Sequence, residues 1–237
     1  MTIEEFQLRR LVVSVSGLIY WAGVAVQARR IRRRIGRSPN VKPRGAKEKA
    51  LWFGWLVVGL TWIGQPWLVG TAGNNIALAP VPCVVNSLSL TAGLTLVLLG
   101  YAGTLWTYAV MGDTWRMGIN AEERTRLVCR GPFRYVRHPI YLLQMVMLGG
   151  ASLLLPTPVS FGALALHYFC VLLKMRDEEK YLCTVHGEAY RDYRLRTGGL
   201  FPRWRRGGAA AGDSGRRAAR GIESQGNTSH TGPTRTL

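Results

Sequence analysis

Long charge-free apolar blocks alternate with short basic segments along the chain. Four blocks, residues 11–28, 50–70, 86–111 and 139–173, contain no Asp, Glu, Lys or Arg. About 20 apolar residues are needed to cross a ~30 Å hydrocarbon core, so the first three blocks each predict one spanning helix. The fourth block is too long for one pass, and Pro156-Thr157-Pro158 divides it with a predicted tight turn. The pattern predicts an all-α membrane protein with about five transmembrane helices.

The segments between these blocks set the expected orientation. Residues 29–49 carry ten Lys or Arg and one acid, and residues 174–206 carry nine Lys or Arg and five acids. Residues 112–138 carry six Arg and three acids, whereas residues 71–85 and the turn at 156–160 carry no charge. Because basic segments stay in the cytoplasm, this alternation predicts an external N-terminus and a cytoplasmic C-terminus.

The net charge of +18 arises in part from the same basic segments. Lys and Arg beside apolar spans favour cytoplasmic retention and contact with anionic lipid, so we do not expect nucleic-acid binding. Arg outnumbers Lys by 26 to 5, which is typical of a GC-rich genome and indicates a bacterial plasma membrane. A signal peptide over residues 1–28 is an alternative for the first block. The basic run that follows it favours a retained helix.

The four cysteines do not form a recognisable framework. They are Cys83, Cys129, Cys170 and Cys183, and no two have C-x-x-C spacing. The predicted topology places Cys83 outside and the other three inside or within the membrane. We therefore predict neither a disulfide framework nor a metal site.

Three regions follow from these patterns. Residues 1–110 contain the three N-terminal transmembrane helices. Residues 111–206 combine a loop, a helical hairpin and an amphipathic C-terminal helix that ends before Gly198-Gly199. Residues 207–237 are rich in Gly, Ala, Ser and Arg without apolar periodicity, which predicts a disordered basic tail.

The segment that leads into the fourth block carries unusual chemistry. Pro139 suits the first turn of a helix, and His138 before it is pushed out of the helical region. The free amides of that helix start, with Arg134 and Arg137 nearby, would attract an anion. Tyr141 projects from the same first turn.

The hairpin then returns to the same membrane face. Residues 139–155 and 159–175 each cover roughly 26 Å at 1.5 Å per residue. The return brings Arg176-Asp177-Glu178-Glu179 beside the basic and aromatic helix start. These opposite charges could pair with each other, or they could hold a zwitterion such as an amino acid.

The sequence RHPIY followed one hairpin later by EE resembles the R-H-P-x-Y…E-E pattern of isoprenylcysteine carboxyl methyltransferases and related membrane phospholipid methyltransferases. Membrane sterol reductases share a similar pattern. The flanking segments 111–119, 127–141 and 186–203 are also similar to those of the family. The resemblance covers about residues 111–203, which would be the methyltransferase catalytic region.

The resemblance implies S-adenosylmethionine as the methyl donor, bound near the cytoplasmic face. It implies that the donor's methionine end contacts His138, Pro139 and Tyr141, and that its ammonium group pairs with Glu178 or Glu179. Backbone from Leu127 to Gly131 would flank the adenosine. The complete set of expected donor-binding residues is Leu127, Val128, Gly131, Tyr135, His138, Pro139, Tyr141, Glu178 and Glu179. A lipid-like or prenylated acceptor would enter from the bilayer between helices.

Little chemical assistance is needed for methyl transfer to a carboxylate. Such an acceptor is already ionised, so positioning and a dry site would suffice. An arginine should grip the carboxylate in a bidentate manner, and Arg176 and Arg194 are the expected catalytic residues, with Arg116 a weaker candidate. An amine acceptor would need a nearby base instead.

Isoprenylcysteine-type O-methylation is the preferred function. The alternatives are N-methylation of a phospholipid amine, a sterol-reductase-like oxidoreductase that uses a nicotinamide cofactor, and a non-enzymatic lipid-binding membrane protein. His167 lies within the fifth predicted span, and we expect it to be structural rather than functional.

Overall fold

Six α-helices make up most of the described chain, which comprises residues 2–36, 43, 45–71, 75–116 and 126–203 of the computed structural model. They are α1 (Ile3–Ile35), α2 (Ala46–Leu68), α3 (Ser87–Met111), α4 (Pro139–Leu154), α5 (Pro158–His186) and α6 (Glu188–Arg196). Short 3₁₀ turns lie at Pro82–Val84, Gly112–Thr114 and Gly131–Arg134. In these residues strand pairing is limited to one parallel bridge between Val136 and Gly198. The all-α prediction is confirmed.

Three helices are long and apolar enough to cross a membrane, namely Ile3–Ile35, Ser87–Thr114 (α3 with its following turn) and Pro158–His186. The shorter helix α4 is also apolar. These helices fit an all-α membrane protein. Residues 50–68 of the second apolar block lie on α2. The total of five crossings and the orientation remain predictions.

Two helices extend beyond their apolar blocks. α1 begins eight residues before residue 11, because the Thr2 hydroxyl caps it by accepting a hydrogen bond from the Glu5 amide at 3.2 Å. α5 continues through the acidic residues until Gly187, which has a φ of +53°. The predicted C-terminal helix is therefore divided at Gly187 between α5 and α6, a break that the prediction missed. A positive φ suits glycine, which has no Cβ to clash.

The described residues up to Arg203 belong to one compact unit. The predicted tail at residues 207–237 lies outside the described part of the chain, as do residues 37–42 and 117–125 of the basic segments.

Helices α3 and α4 pack closely because glycines face each other across their interface. A Cβ added to Gly150 would lie 2.7 Å from the Gly93 carbonyl oxygen, and one added to Gly93 would lie 2.9 Å from the Gly150 carbonyl oxygen. Small residues let helix backbones approach in this way. Gly150 thus allows the close approach of the two helices, whereas a Cβ added to Gly149 would meet nothing within 4 Å.

A buried arginine joins α1 to the C-terminal end of α4. The side chain of Arg9 is 1% exposed and pairs with Glu5 at 2.8 Å. It donates hydrogen bonds to the Leu154 carbonyl at 3.2 Å, the Asn86 carbonyl at 2.7 Å and the Ser89 hydroxyl at 3.1 Å. The carbonyl of Leu154 is one of the groups that a helix end leaves unpaired, so Arg9 caps α4 while it holds three helices together.

Candidate functional site

The start of α4 is fixed by the chain segment that follows α6. The Arg137 amide donates to the Gly198 carbonyl at 2.8 Å, and the His138 amide donates to the Gly199 carbonyl at 3.2 Å. His138 precedes the helix with φ −124° and ψ 62°, and Pro139 occupies the first turn. The non-helical conformation expected for His138 is thus present. Its backbone is held by these hydrogen bonds on one side and by the start of α4 on the other.

The hairpin brings the basic and aromatic helix start beside the acidic residues of α5. His138 Nδ1 lies 3.3 Å from Glu178 Oε2, and His138 Nε2 lies 3.4 Å from Glu179 Oε1. The Tyr141 hydroxyl donates a hydrogen bond to Glu178 Oε1 at 2.7 Å. The His138 and Tyr141 rings stack with centroids 5.9 Å apart. The four residues form one cluster, as the hairpin geometry predicted.

The two glutamates of this cluster have different surroundings. Glu179 pairs with Arg137, whose Nε and Nη2 lie 2.8 and 2.7 Å from Glu179 Oε1. Arg194 Nε lies 3.5 Å from the other Glu179 oxygen. Arg137 also donates to the Thr197 carbonyl, which ties the pair to the end of α6. Glu179 is thus held in an ion-pair network, whereas Glu178 faces a cavity.

Burial and charge act in opposite directions on His138. Its side chain is only 6% exposed. Burial lowers its pKa, but hydrogen bonding to Glu178 and Glu179 and their negative charges raise it, and the net pKa lies above the usual 6.5. The cluster therefore favours a protonated, positively charged His138 between two carboxylates.

A cavity of about 500 Å³ lies beside the cluster. Its polar end is formed by His138, Tyr141, Gln144, Lys174 and Glu178. The rest of its wall is mainly apolar. Nine of its residues lie on α1 and α2, and it also includes Arg116, Arg126 and Arg137. This volume is within the usual range for pockets that bind small molecules, about 300–1,000 Å³.

The predicted site residues divide into two groups. Those that line the cavity are Leu127, Val128, His138, Pro139, Tyr141 and Glu178, together with the weaker candidate Arg116. Those that do not are Gly131, Tyr135, Arg176, Glu179 and Arg194. Tyr135, Arg176 and Arg194 are exposed, and Glu179 is half-buried behind the cluster. The structure thus places both expected catalytic arginines away from the cavity.

Several polar residues of the cavity wall, among them Lys174 and Gln144, were not predicted from the sequence. The side chain of Lys174 is 6% exposed, and the nearest carboxylate oxygen in the described chain belongs to Glu48, 3.9 Å from Lys174 Nζ. Gln144, which is buried too, lies one turn after Tyr141. A polar residue within an apolar block was a usable signal for Gln144. Lys174 gave no such signal, because any cytoplasmic helix end is expected to carry basic residues.

Comparison with known proteins bears on this region. Residues 88–189 match the family model of phospholipid methyltransferases. The matched segment includes α3, α4 and α5 and so contains His138, Tyr141, Lys174 and Glu178. The match supports a membrane methyltransferase, and it favours neither the sterol-reductase-like nor the non-enzymatic alternative.

Two bacterial proteins are similar over about half of this chain. The nickel-cobalt-cadmium resistance protein NccN of Alcaligenes xylosoxydans xylosoxydans is 26% identical over 119 residues, which are 50% of this chain and 52% of that protein. The cobalt-zinc-cadmium resistance protein CzcN of Cupriavidus metallidurans is 32% identical over 123 residues, 50% of this chain and 51% of that protein. The chain thus spans about half the length of the curated relatives it matches.

Proposed function

We propose that this protein is an integral membrane methyltransferase that uses S-adenosylmethionine to methylate a lipid-like acceptor. One observation carries the proposal: a single cavity joins the His138, Tyr141 and Glu178 cluster to a long apolar wall. The polar end suits a zwitterionic amino acid, and the apolar wall suits a hydrocarbon chain. The family match over residues 88–189 supports the same reaction class.

The residues at the polar end fit the methionine part of the donor. Glu178 offers a carboxylate for the ammonium group, and protonated His138 offers a positive charge for the carboxylate. Leu127 and Val128 supply apolar surface for the adenosine. Glu179 is a positioning residue in this proposal, because its ion pair with Arg137 holds the segment that carries His138.

The bound donor would supply a methyl group on a sulfonium, which is already a good leaving group. The protein's task is then to align the acceptor and to exclude water. His138, Gln144 and Lys174 are all less than a tenth exposed, and Trp55 stacks on Tyr141 with ring centroids 6.3 Å apart. These side chains provide the dry surroundings that such a transfer needs.

For the acceptor we propose a carboxylate of the isoprenylcysteine type, reached from the cytoplasmic face and held by Lys174. Lys174 takes the role predicted for Arg176 and Arg194, because it lines the cavity and they do not. Arg116, the weaker candidate for that role, also lines the cavity. Its nearest carboxylate is beyond hydrogen-bond distance at 3.9 Å, so its ammonium group retains capacity to bind an anion. A buried cation without close pairing is costly, and an acceptor anion would offset that cost.

The second candidate is N-methylation of a phospholipid amine, which the matched family favours. Lys174 would then hold the lipid phosphate. An amine must lose a proton before it attacks, and Glu178 is the carboxylate on the cavity wall that would accept it.

The names of the two relatives raise the question of metal binding. No group of three or more His, Cys, Asp or Glu side chains in the described ranges is arranged to hold a metal ion.

Direct binding of S-adenosylmethionine to the detergent-purified protein, measured by calorimetry, tests the proposal. We expect micromolar binding that is lost in His138→Ala and kept in His167→Ala, since His167 is buried away from the cavity. Lack of binding by a well-folded wild type would contradict the proposed donor. Radiolabelled methyl transfer to a prenylcysteine or to phosphatidylethanolamine then separates the two acceptors.

A further inference from the structure

Helix α2 lies outside the matched residues 88–189, yet one of its side chains contacts the donor cluster. Trp55 of α2 stacks on Tyr141 with ring centroids 6.3 Å apart and ring planes at 21°. Tyr141 also stacks with His138, with ring centroids 5.9 Å apart and ring planes at 20°. The Tyr141 hydroxyl donates a hydrogen bond to Glu178 at 2.7 Å. Tyr141 thus links the polar cluster of α4 and α5 to an aromatic side chain of α2.

Trp55 contributes to this arrangement through the face of its ring. Its indole nitrogen is buried and has no hydrogen-bond partner among the residues that the structure describes. Offset stacking of aromatic rings favours a defined relative orientation of the two rings. The orientation of the Tyr141 ring decides in turn whether its hydroxyl reaches Glu178. Trp55 is therefore placed to orient Tyr141 by ring packing.

A close contact between α2 and α5 sets the position of Trp55. Gly54, the residue before it, faces α5, and a Cβ added to Gly54 would lie 2.7 Å from Cys170 Sγ. The absence of a Cβ at this position therefore permits the two helices to approach. Two turns earlier, Lys47 Nζ pairs with Asp177 Oδ1 at 2.7 Å. Both contacts hold α2 against the helix that carries the two glutamates of the cluster.

We propose that Trp55 is a positioning residue of the donor site, held in place by the contact between Gly54 and Cys170. The inference rests on the proposed function in one respect, because it takes the ligand of the cluster to be S-adenosylmethionine. Trp55 acts through Tyr141, whose hydroxyl it keeps on Glu178, the carboxylate that would bind the ammonium group of the donor. Donor affinity then depends on a helix that the family match does not include.

Two substitutions of Trp55 test this role through donor affinity. Trp55→Leu removes the ring, whereas Trp55→Phe keeps a ring face and loses only the N–H group and the second ring. Calorimetry should show S-adenosylmethionine affinity lowered by about threefold to tenfold in Trp55→Leu and within about twofold of the wild type in Trp55→Phe. The control is Trp67→Leu, since Trp67 is 60% exposed on the same helix and lies outside the cavity wall. Equal affinity in Trp55→Leu and Trp67→Leu would overturn the inference.

A double-mutant cycle on thermal unfolding in detergent tests the same link without the donor. Tyr141→Phe removes the hydroxyl that donates to Glu178. It should lower the melting temperature of the wild type by roughly 2–4 °C and that of Trp55→Leu by much less, because the hydroxyl no longer holds its place there. Such a difference measures coupling between residues in contact. Equal shifts in the two backgrounds would contradict a positioning role.

The contact between α2 and α5 offers a compensating pair of variants, which also serves if Trp55→Leu does not fold. Gly54→Ala places a Cβ against Cys170 Sγ and should weaken donor binding as Trp55→Leu does. Gly64→Ala on the same helix should not, because a Cβ there meets nothing within 4 Å. Cys170→Ala removes the Sγ atom, so combining it with Gly54→Ala should restore the affinity. Weak binding that persists in the double variant would contradict the proposed contact.

The outcomes separate this inference from the proposed function. Coupling between Trp55 and Tyr141 in a wild type that does not bind S-adenosylmethionine would uphold the positioning of Tyr141 while contradicting the proposed donor. Donor binding by the wild type, with no coupling and with full affinity in Trp55→Leu, would uphold the proposed donor and overturn the role of α2.

Discussion

Two arginine–glutamate pairs lie near opposite ends of α4, and they serve different purposes. Arg9 and Glu5 lie by its C-terminal end, and Arg137 and Glu179 lie by its N-terminal end. The two arginine side chains are 1% and 11% exposed, and both donate to backbone carbonyls as well as to their glutamate. By local chemistry alone the two pairs look alike.

The difference lies in what surrounds each pair. The partners of Arg9 are a helix end, a capping segment and Glu5, and Arg9 lines no part of the cavity described above. Arg137 borders the cavity, and its glutamate is next in sequence to Glu178 and 3.4 Å from the ring of His138. A buried ion pair therefore indicates a functional site only when unsatisfied polar groups and space for a ligand lie beside it.

The largest expected effect is on stability at Arg9. In Arg9→Met the carbonyls that Arg9 caps lose their donor, and Glu5 loses its cation. Each buried acceptor left without its donor costs about 1–3 kcal/mol. We expect a strongly lowered melting temperature in thermal unfolding in detergent, with unchanged donor affinity per folded molecule. The control is Arg191→Met, an exposed arginine paired on the surface with Glu188. Equal melting temperatures in the two variants would contradict the structural role of Arg9.

The next effect should separate the adjacent glutamates. Glu178→Gln should weaken S-adenosylmethionine binding by about 10–100-fold, because a hydrogen bond to a charged group is worth about 1.5–3 kcal/mol. Glu179→Gln should instead lower the melting temperature, since it leaves Arg137 buried without its counter-charge. Calorimetry and thermal unfolding of both variants distinguish the two roles. Stronger loss of donor affinity in Glu179→Gln would reverse the assignment.

The all-α class and the cluster of His138, Tyr141, Glu178 and Glu179 could be predicted from the sequence, because both depend on local rules. Charge-free blocks predict helices. The length of the hairpin predicts that Glu178 lies at the same membrane face as His138 and Tyr141. The direction in which each side chain points around its helix axis could not be predicted in this way. Lys174 and Arg176 are two residues apart and so point about 200° apart around α5 at 3.6 residues per turn. Only packing against the other helices decides which of the two faces the cavity.

The same limit explains what was missed at the other end of α4. Arg9 lies just before the first charge-free block, so the pattern of blocks predicts nothing about its burial. Its burial depends on residues 77 to 145 positions away along the sequence. No local pattern predicts such contacts, whereas the break at Gly187 coincides with a glycine that the sequence shows.

A smaller effect is expected on the pH dependence of stability, through the protonation of His138. Its pKa in the folded protein lies above the usual 6.5, because Glu178 and Glu179 favour the charged form more than burial disfavours it. The resulting stability is fully present below about pH 6.5 and is lost as the pH rises through the higher folded-state pKa. The melting temperature should therefore fall more steeply with rising pH in the wild type than in His138→Gln. Parallel profiles in the two proteins would contradict a charged His138.

The smallest effect is expected at His167, which is fully buried in α5 and whose two ring nitrogens have no hydrogen-bond partner in the described residues. A buried polar group without a partner destabilises the fold, so an apolar residue of similar size should be neutral or stabilising. His167→Leu should leave the free energy of unfolding unchanged or raise it by about 1 kcal/mol or less, so the melting temperature should not fall. Donor affinity should not change.

His138→Leu is the matched variant, because it removes the same ring beside the cavity and should abolish donor binding. If His167→Leu also lost donor binding, the site would extend into the middle of α5. The rule drawn from the Arg9–Glu5 and Arg137–Glu179 pairs would then fail too, since a residue remote from the cavity would have proved functional. Retained binding in His167→Leu, with loss in His138→Leu, would instead show that proximity to the cavity, rather than burial, distinguishes the residues that act on a ligand.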